Sequence, residues 1–313
     1  MNISIGIKEK LGPWGGGNHF FHCIKKNIHK YNSNLVTNLD QSGLDIVLLF
    51  DVRKNSLSSS YNISDVINYK KKNPKTKIIL RVNECDERKG TKFVNKDIIE
   101  AINFVDGVIF ISDWLKNLFI TQGARPKKNV VIRNGADRSI YFKTQDQVLK
   151  KKKLSIVTHH WSSNKNKGMK VYKKLDRILF KTKFREKFDF EYIGNKKITD
   201  IFFNTKITKP LYLDSLAEKL RSKDFYITGS LNEPAGMHHI EASLCGLPVM
   251  YINSGGITEY NIDYGLEYNA DNLEDRLLFF YDNFRNYYKK LKNYPYDDIK
   301  MIDEYFLFFN KIL

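Results

Sequence analysis

The residues best suited to chemistry lie between Asn232 and Tyr260. Glu233 and Glu241 stand eight positions apart in Asn232-Glu233-Pro234-Ala235-Gly236-Met237-His238-His239-Ile240-Glu241-Ala242. This stretch follows an apolar run, Phe225 to Thr228, and passes into a helical pattern. Gly236 therefore falls near a helix start, where unpaired backbone N–H groups and the dipole suit a phosphate or a sugar hydroxyl. Eight residues make a little over two helical turns, so the two carboxylates can meet different parts of one elongated ligand. A carboxylate so placed is suited to accepting both hydroxyls of a ribose. Ser254-Gly255-Gly256-Ile257-Thr258-Glu259-Tyr260 follows another strand pattern, and its two glycines allow backbone amides close to a diphosphate. A surface helix and a plain Gly-Gly turn would use the same residue types. The strand–turn–helix order of the pieces argues for the ligand site.

Other constellations sit at further strand ends. Gly12-Pro13-Trp14-Gly15-Gly16-Gly17-Asn18 separates the first strand pattern from a helical one, a place where backbone N–H groups can approach a phosphate. Thr158-His159-His160-Trp161-Ser162-Ser163-Asn164-Lys165-Asn166-Lys167-Gly168 follows a later strand and carries cations. His159-His160 and His238-His239 raise the question of a metal. Adjacent histidines on a strand point to opposite faces, and spacing places no third ligand, so no metal site is expected. The polar segment Arg81 to Lys89 also follows a strand; Asn83 and Asp86 are its candidates for hydrogen bonds to an acceptor, with a salt-bridged surface loop as the alternative. Ser112 reads as a helix cap and Asn134-Gly135 as a turn.

These segments need a framework, and the apolar pattern supplies one. Ile3 to Ile7, Ile46 to Phe50, Lys77 to Arg81, Val108 to Ile111 and Asn129 to Ile132 read as strands buried on both faces. Between them His19 to His29, Ile63 to Lys72, Lys96 to Phe104 and Trp114 to Thr121 read as helices. Leu154 to Thr158, Phe188 to Ile193, Phe225 to Thr228 and Pro248 to Ile252 begin a second series of strands, interleaved with helices at Met169 to Phe180, Ser215 to Leu220, Met237 to Cys245 and Asn272 to Leu291. Such alternation predicts two α/β domains, each a doubly wound parallel sheet, facing each other across a cleft. The predicted boundaries are 1–145 for the first domain, 146–153 for a polar linker and 154–294 for the second. Residues 295–313 form a last helix packing back on the first domain.

Composition bounds the rest. The chain has 313 residues, 42% of them hydrophobic, which excludes a disordered or low-complexity array. Its apolar runs are too short to span a bilayer, and the N-terminus has neither a basic leader nor a cleavage site. Cys23, Cys85 and Cys245 form no CxxC pair, as expected of reduced thiols in a cytoplasmic protein. The net charge of +17 reads as a solvated basic surface, with attraction to an anionic membrane face or to nucleic acid as the sharper alternatives.

The segment from Glu233 onward resembles the retaining glycosyltransferases of the GT-B class often called family 4, whose hallmark is E-x7-E, a small-residue helix and G-x-P-V. Glu233, Gly236, Glu241, Ala242, Gly246, Pro248 and Val249 match it. The resemblance implies two Rossmann-like domains and a retaining, hexosyltransferase-type enzyme that serves surface glycan or polysaccharide synthesis. By that resemblance Glu241 binds the donor ribose, while Glu233 and the amides of Gly236, Met237 and His238 hold the transferred sugar. Gly255 and Gly256 face the diphosphate, and Gly15, Gly16 and Gly17 approach it from the other domain. Ser112 and the Asn134-Gly135-Ala136-Asp137 turn are similar to two further family landmarks.

One departure stands out. Family members carry an arginine and a lysine that neutralise the leaving diphosphate; Lys167 matches the lysine, and the arginine is missing. Lys165 or a protonated His160 are the candidates to replace it, although neither copies a bidentate guanidinium. The expected partners are a nucleotide-sugar donor, a glycan, lipid-linked or small-molecule acceptor, and peripheral contact with an anionic inner membrane face. No nucleic acid, cofactor or metal is expected. The rivals are a nucleotide-sugar 2-epimerase of the same architecture, a basic nucleic-acid-binding protein without activity, and a degenerate transferase that binds donor without turnover.

Overall fold

The structure is a computed structural model, which describes residues 1–10, 12, 15–144 and 152–313. They form two units, one of Met1–Gly135 with Asp298–Leu313, the other of Ala136–Asp297.

The first unit is a parallel sheet of β1 (Asn2–Ile5), β2 (Asn34–Val36), β3 (Ile46–Leu49), β4 (Lys77–Val82), β5 (Gly107–Phe110) and β6 (Asn129–Val131), in the order β2-β1-β3-β4-β5-β6. Its helices are α1 (Gly16–Asn27), α2 (Ile63–Lys72), α3 (Asp86–Lys89), α4 (Val94–Phe104) and α5 (Asp113–Thr121), joined by α12 (Asp298–Ile312) from far along the chain. Strands β3 and β5 are buried at every residue, as continuous apolar runs in a sheet covered on both faces require. On one face Ile5, Leu48 and Ile109 pack in a single core with Phe20 and Ile24 of α1 and Met301, Tyr305 and Phe309 of α12. Local chemistry sets the helix starts. Asn62 and Asp65 form a capping box on α2, and the Ser112 hydroxyl accepts the Leu115 N–H at 3.2 Å on α5.

The second unit repeats the plan with β7 (Leu154–His160), β8 (Phe188–Gly194), β9 (Thr205–Thr208), β10 (Phe225–Thr228), β11 (Val249–Tyr251) and β12 (Leu266–Glu267). All are parallel, in the order β12-β11-β10-β7-β8-β9. Its helices are α6 (Met169–Ile178), α7 (Thr182–Arg185), α8 (Leu213–Arg221), α9 (Met237–Leu244), α10 (Ile257–Asn261) and α11 (Leu273–Lys290). Tyr172, Leu175, Phe190, Ile227, Phe280 and Phe284 belong to its core.

The doubly wound parallel sheets are as the alternation predicts. The division between the units differs from the expected boundary at 145. Residues 136–143 lie in the second unit, where Ala136 bridges Asp297, the Ile140 carbonyl accepts from Arg221 at 3.0 Å and the Lys143 ammonium lies over the Tyr288 ring. Most of the expected linker, 146–153, falls outside the described residues. Strands β2, β9 and β12 have no counterpart in the apolar pattern. Each is short, half exposed and at or next to a sheet edge, where no continuous apolar run is needed. Among the described residues no helix is long and apolar enough to cross a membrane.

Candidate active site

At the carboxyl ends of β7 and β10 two loops lock together by backbone contact. Gly168 has φ +90°, and a Cβ there would sit 2.5 Å from the Gly229 carbonyl carbon. The Leu231 N–H donates to the Asn166 carbonyl at 2.8 Å, and the Asn164 side chain accepts from the Asn166 N–H to close a 3-10 turn at Lys165–Lys167. This clasp brings Lys167 to Glu233, with Nζ and Oε2 2.6 Å apart. The side chains retain only 14% and 10% of their exposure, so the pair is shielded enough to hold its geometry.

The Glu233 backbone is fixed from the other side. It pairs with Gly255 in an isolated parallel bridge, and its carbonyl accepts the Gly256 N–H at 2.9 Å. Gly255 has φ +71°, and a Cβ there would lie 2.3 Å from that carbonyl oxygen. The Gly256 N–H is engaged by protein rather than left for a diphosphate, and Gly255 is required by the approach to Glu233.

Helix α9 begins at Gly236, which supplies no side-chain cap, so the first-turn N–H groups of Met237 and His238 keep the anion-binding character of a helix N-terminus. A Cβ on Gly236 would strike the His238 ring at 2.3 Å. Two turns on, Glu241 faces His159 near the end of β7, with Nε2 and Oε2 2.8 Å apart. A carboxylate only accepts, so the hydrogen belongs to His159 Nε2. His159 Nδ1 is buried and has no hydrogen-bond partner among the described residues. The backbone of the same residue is pinned by Tyr226, whose hydroxyl accepts the His159 N–H at 2.9 Å and donates to its carbonyl at 3.2 Å.

His160 points the other way. Its Nε2 lies 2.6 Å from the Tyr172 hydroxyl, its ring stacks on Tyr172, and only 4% of it is exposed. Burial pushes the Tyr172 phenol up to about 12, so this hydroxyl keeps its proton, and it accepts the Gly229 N–H at 3.1 Å. His160 is thus a wall residue that ties β7 to α6, and not the replacement for the missing guanidinium. Lys165 is exposed on the 3-10 turn while Lys167 turns inward. Burial, together with His160 and Lys167, holds His238 well below the usual histidine range, and its Nε2 lies 3.0 Å from the Thr228 hydroxyl. Burial lowers His239 to about 3 against the pull of Glu233 and Glu241; the Asn261 amide donates to its Nδ1 at 3.3 Å. Both remain neutral near pH 7 and build the floor of the site. Among the described residues no group of three potential ligands is placed to hold a metal ion.

In the first unit, Gly15 caps α1, Gly16 opens it, and Gly17 packs where a Cβ would meet the Phe50 ring at 2.5 Å. The Asn18 side chain straps this turn by accepting the Lys10 N–H and donating to its carbonyl. Pro13 and Trp14 lie outside the described residues. Asn83 is half-buried beyond β4. Asp86 is corrected from its expected contact with an acceptor. Its carboxylate accepts the N–H groups of Val94 and Asn95, at 3.1 and 3.0 Å, and the Thr91 hydroxyl, which caps α4. Burial raises its pKa, and these hydrogen bonds outweigh burial and lower it.

Sequence reasoning missed His159, Tyr172 and Tyr226. The only signal was polarity at the end of an otherwise apolar strand, Leu154-Ser155-Ile156-Val157-Thr158-His159-His160.

Residues 196–297, which include both glutamates, match the family model described as glycosyl transferases group 1. The fold is that of a sucrose-phosphate synthase from Thermosynechococcus elongatus (TM-score 0.71, 11% identity, 98% of each chain covered). It is also that of Anabaena HepE solved in complex with UDP and glucose (TM-score 0.70, 13% identity, 99% of this chain and 100% of that one). An uncharacterized protein 356 of Sulfolobus islandicus rod-shaped virus 1 is 23% identical, over 67% of this chain and 71% of its own. The chain therefore has the GT-B fold and is related to the glycosyl transferases group 1.

Proposed function

We propose that this protein transfers a sugar from a nucleoside diphosphate donor to an acceptor hydroxyl with retention at the anomeric carbon. The observation that carries this reading is the placement of Glu233, in the loop after β10, and Glu241, on α9, beside polar partners at and just beyond the carboxyl end of β7, Lys167 and His159. The match to the group 1 family model over these residues supports it, as does the nucleotide held by HepE.

In this mechanism Glu241 accepts the ribose hydroxyls, with His159 setting its orientation. Glu233 and the α9 N-terminus hold the transferred sugar. The bond between the anomeric carbon and the diphosphate breaks, negative charge gathers on the departing phosphate, and Lys167 with the α9 amides stabilises that charge. The acceptor oxygen bonds to the anomeric carbon and its proton leaves with the diphosphate. Gly15 to Gly17 and Asn83 are the first unit's candidates for phosphate and acceptor contacts. A glycan, lipid-linked or small-molecule acceptor fits the reaction.

The test incubates the protein with a panel of nucleotide sugars and follows thermal shift and nucleotide release. A stabilising nucleotide and its release in the presence of acceptor are expected; no stabilisation by any nucleotide overturns the donor site. Binding without release under any acceptor condition would leave a donor-binding protein. Glu241→Ala is expected to remove the nucleotide-induced shift, and wild-type affinity in that variant would overturn the ribose assignment.

A further inference from the structure

A second surface of the second unit, away from the two glutamates, combines charge and apolar exposure. The buried side of α6 is Val171, Tyr172, Leu175 and Ile178. Its outer side lines an open groove with Lys170, Lys173, Lys174, Arg177 and, one turn on, Lys181; Glu274 is the acid there, paired to Lys181 at 2.6 Å. Alongside runs the loop between β8 and β9, Asn195-Lys196-Lys197-Ile198-Thr199-Asp200-Ile201-Phe202-Phe203-Asn204. Ile198 is 94% exposed, Phe203 74%, Ile201 61% and Phe180, at the end of α6, 55%. Phe180 and Phe203 touch, with ring centroids 5.9 Å apart.

The loop is tied down rather than loose. The Asp176 carboxylate of α6 accepts the N–H groups of Phe203 and Asn204, at 3.0 and 2.8 Å, and the Thr205 hydroxyl at 2.6 Å. Lys173 reaches Asp200 at 2.6 Å, and Phe202 turns inward onto Tyr192. A well-anchored loop that holds two isoleucines and a phenylalanine in water, rimmed by Lys196, Lys197 and the α6 cations, has the make-up of an interaction surface.

We propose that this face docks on an anionic lipid bilayer, the cations meeting headgroup phosphates while Phe180, Ile198, Ile201 and Phe203 enter the interfacial layer. Charge complementarity selects an anionic partner, and the apolar tips select one with an apolar interior. A nucleic acid would satisfy the lysines and leave Ile198 and Ile201 in water. The proposal is independent of the donor site, so its test reads binding and not turnover.

The full chain is sedimented with vesicles of phosphatidylcholine alone and of phosphatidylcholine mixed with phosphatidylglycerol. Binding only to the anionic vesicles is expected. Ile198→Ser with Phe203→Ser, and separately Lys170→Glu with Arg177→Glu, should each weaken it about tenfold or more. Both double variants should keep the wild-type melting temperature, and a single surface change, Lys174→Glu, should give a smaller loss of the same sign. Equal binding to neutral vesicles, no binding to either, or wild-type vesicle binding by the serine variant would overturn the proposal. So would an oligonucleotide that binds the wild type and the serine variant alike and displaces the vesicles from both.

Discussion

Two arginine- or lysine-centred clusters lie at strand ends of the two units, and they are built to opposite purposes. In the first unit Arg81 is 2% exposed. Its Nε donates to the Tyr305 hydroxyl and its Nη2 to the Asn134 side chain, both at 2.8 Å, and the guanidinium lies 4.2 Å from the Phe20 ring centroid and 5.2 Å from that of Phe50. This cation stitches β4, the turn after β6, α1 and α12 together with neutral partners. In the second unit Lys167 and His159 meet carboxylates near the surface of their unit, where a ligand rich in hydroxyls and phosphate can share the same groups. The same strand-end position serves cohesion in one case and recognition in the other. What separates them is the partner: neutral groups around Arg81, carboxylates beside Lys167 and His159.

The sharpest way to break this contrast is to truncate the sealed cation. Arg81→Ala leaves a cavity and two buried polar groups without their donor, and is expected to cost about 3 kcal/mol or more of stability. Denaturant unfolding should show that loss, while nucleotide affinity of the folded fraction stays unchanged. Lys167→Ala should do the reverse. Its turnover is expected to drop about a hundredfold or more, with a much smaller change in melting temperature; an unchanged rate would mean that another cation holds the leaving phosphate.

The neutral histidines sharpen the comparison through pH. His238 and His239 are held below their ordinary value of 6.5 in the folded state, His239 at about 3. As pH falls below 6.5 the unfolded chain takes up these protons first, so their stabilising contribution is complete above 6.5 and declines below it, for His239 down to about pH 3. The slope is about 1.4 kcal/mol per pH unit for each histidine. Melting temperature measured from pH 7 to 5 should fall accordingly, and His239→Gln should flatten part of the slope. The smallest effect is expected of His159→Leu. Loss of the hydrogen bond to Glu241 should weaken nucleotide binding about tenfold, and His159→Gln, which keeps a donor, should recover part of it in the same titration.

How legible this was in the sequence varied with the range of the interactions. The strands buried on both faces and the helices between them follow from local pattern, and α2 spans Ile63–Lys72 as the pattern predicts. Ser112 caps its helix from a position adjacent to it, so its role was also readable. Residues whose partners are distant were not. His159 meets Glu241 across 82 positions and Arg81 meets Tyr305 across 224, and no periodicity encodes either. The glycine turn has a long-range cause as well. Gly255 and Gly256 have the composition of a phosphate-binding turn, but their conformation is set by the Glu233 backbone, which lies twenty-odd residues earlier in the chain. Asp86 misled for the same reason, since the helix it caps starts eight residues later.

Helix α12 carries a consequence for how the protein is made. It completes the core around Phe20, Ile24 and Leu48, yet it is synthesised only after the whole of the second unit. The first unit therefore cannot close its core until the last sixteen residues of the chain have been made, and its uncovered apolar face is what a chaperone has to protect until then.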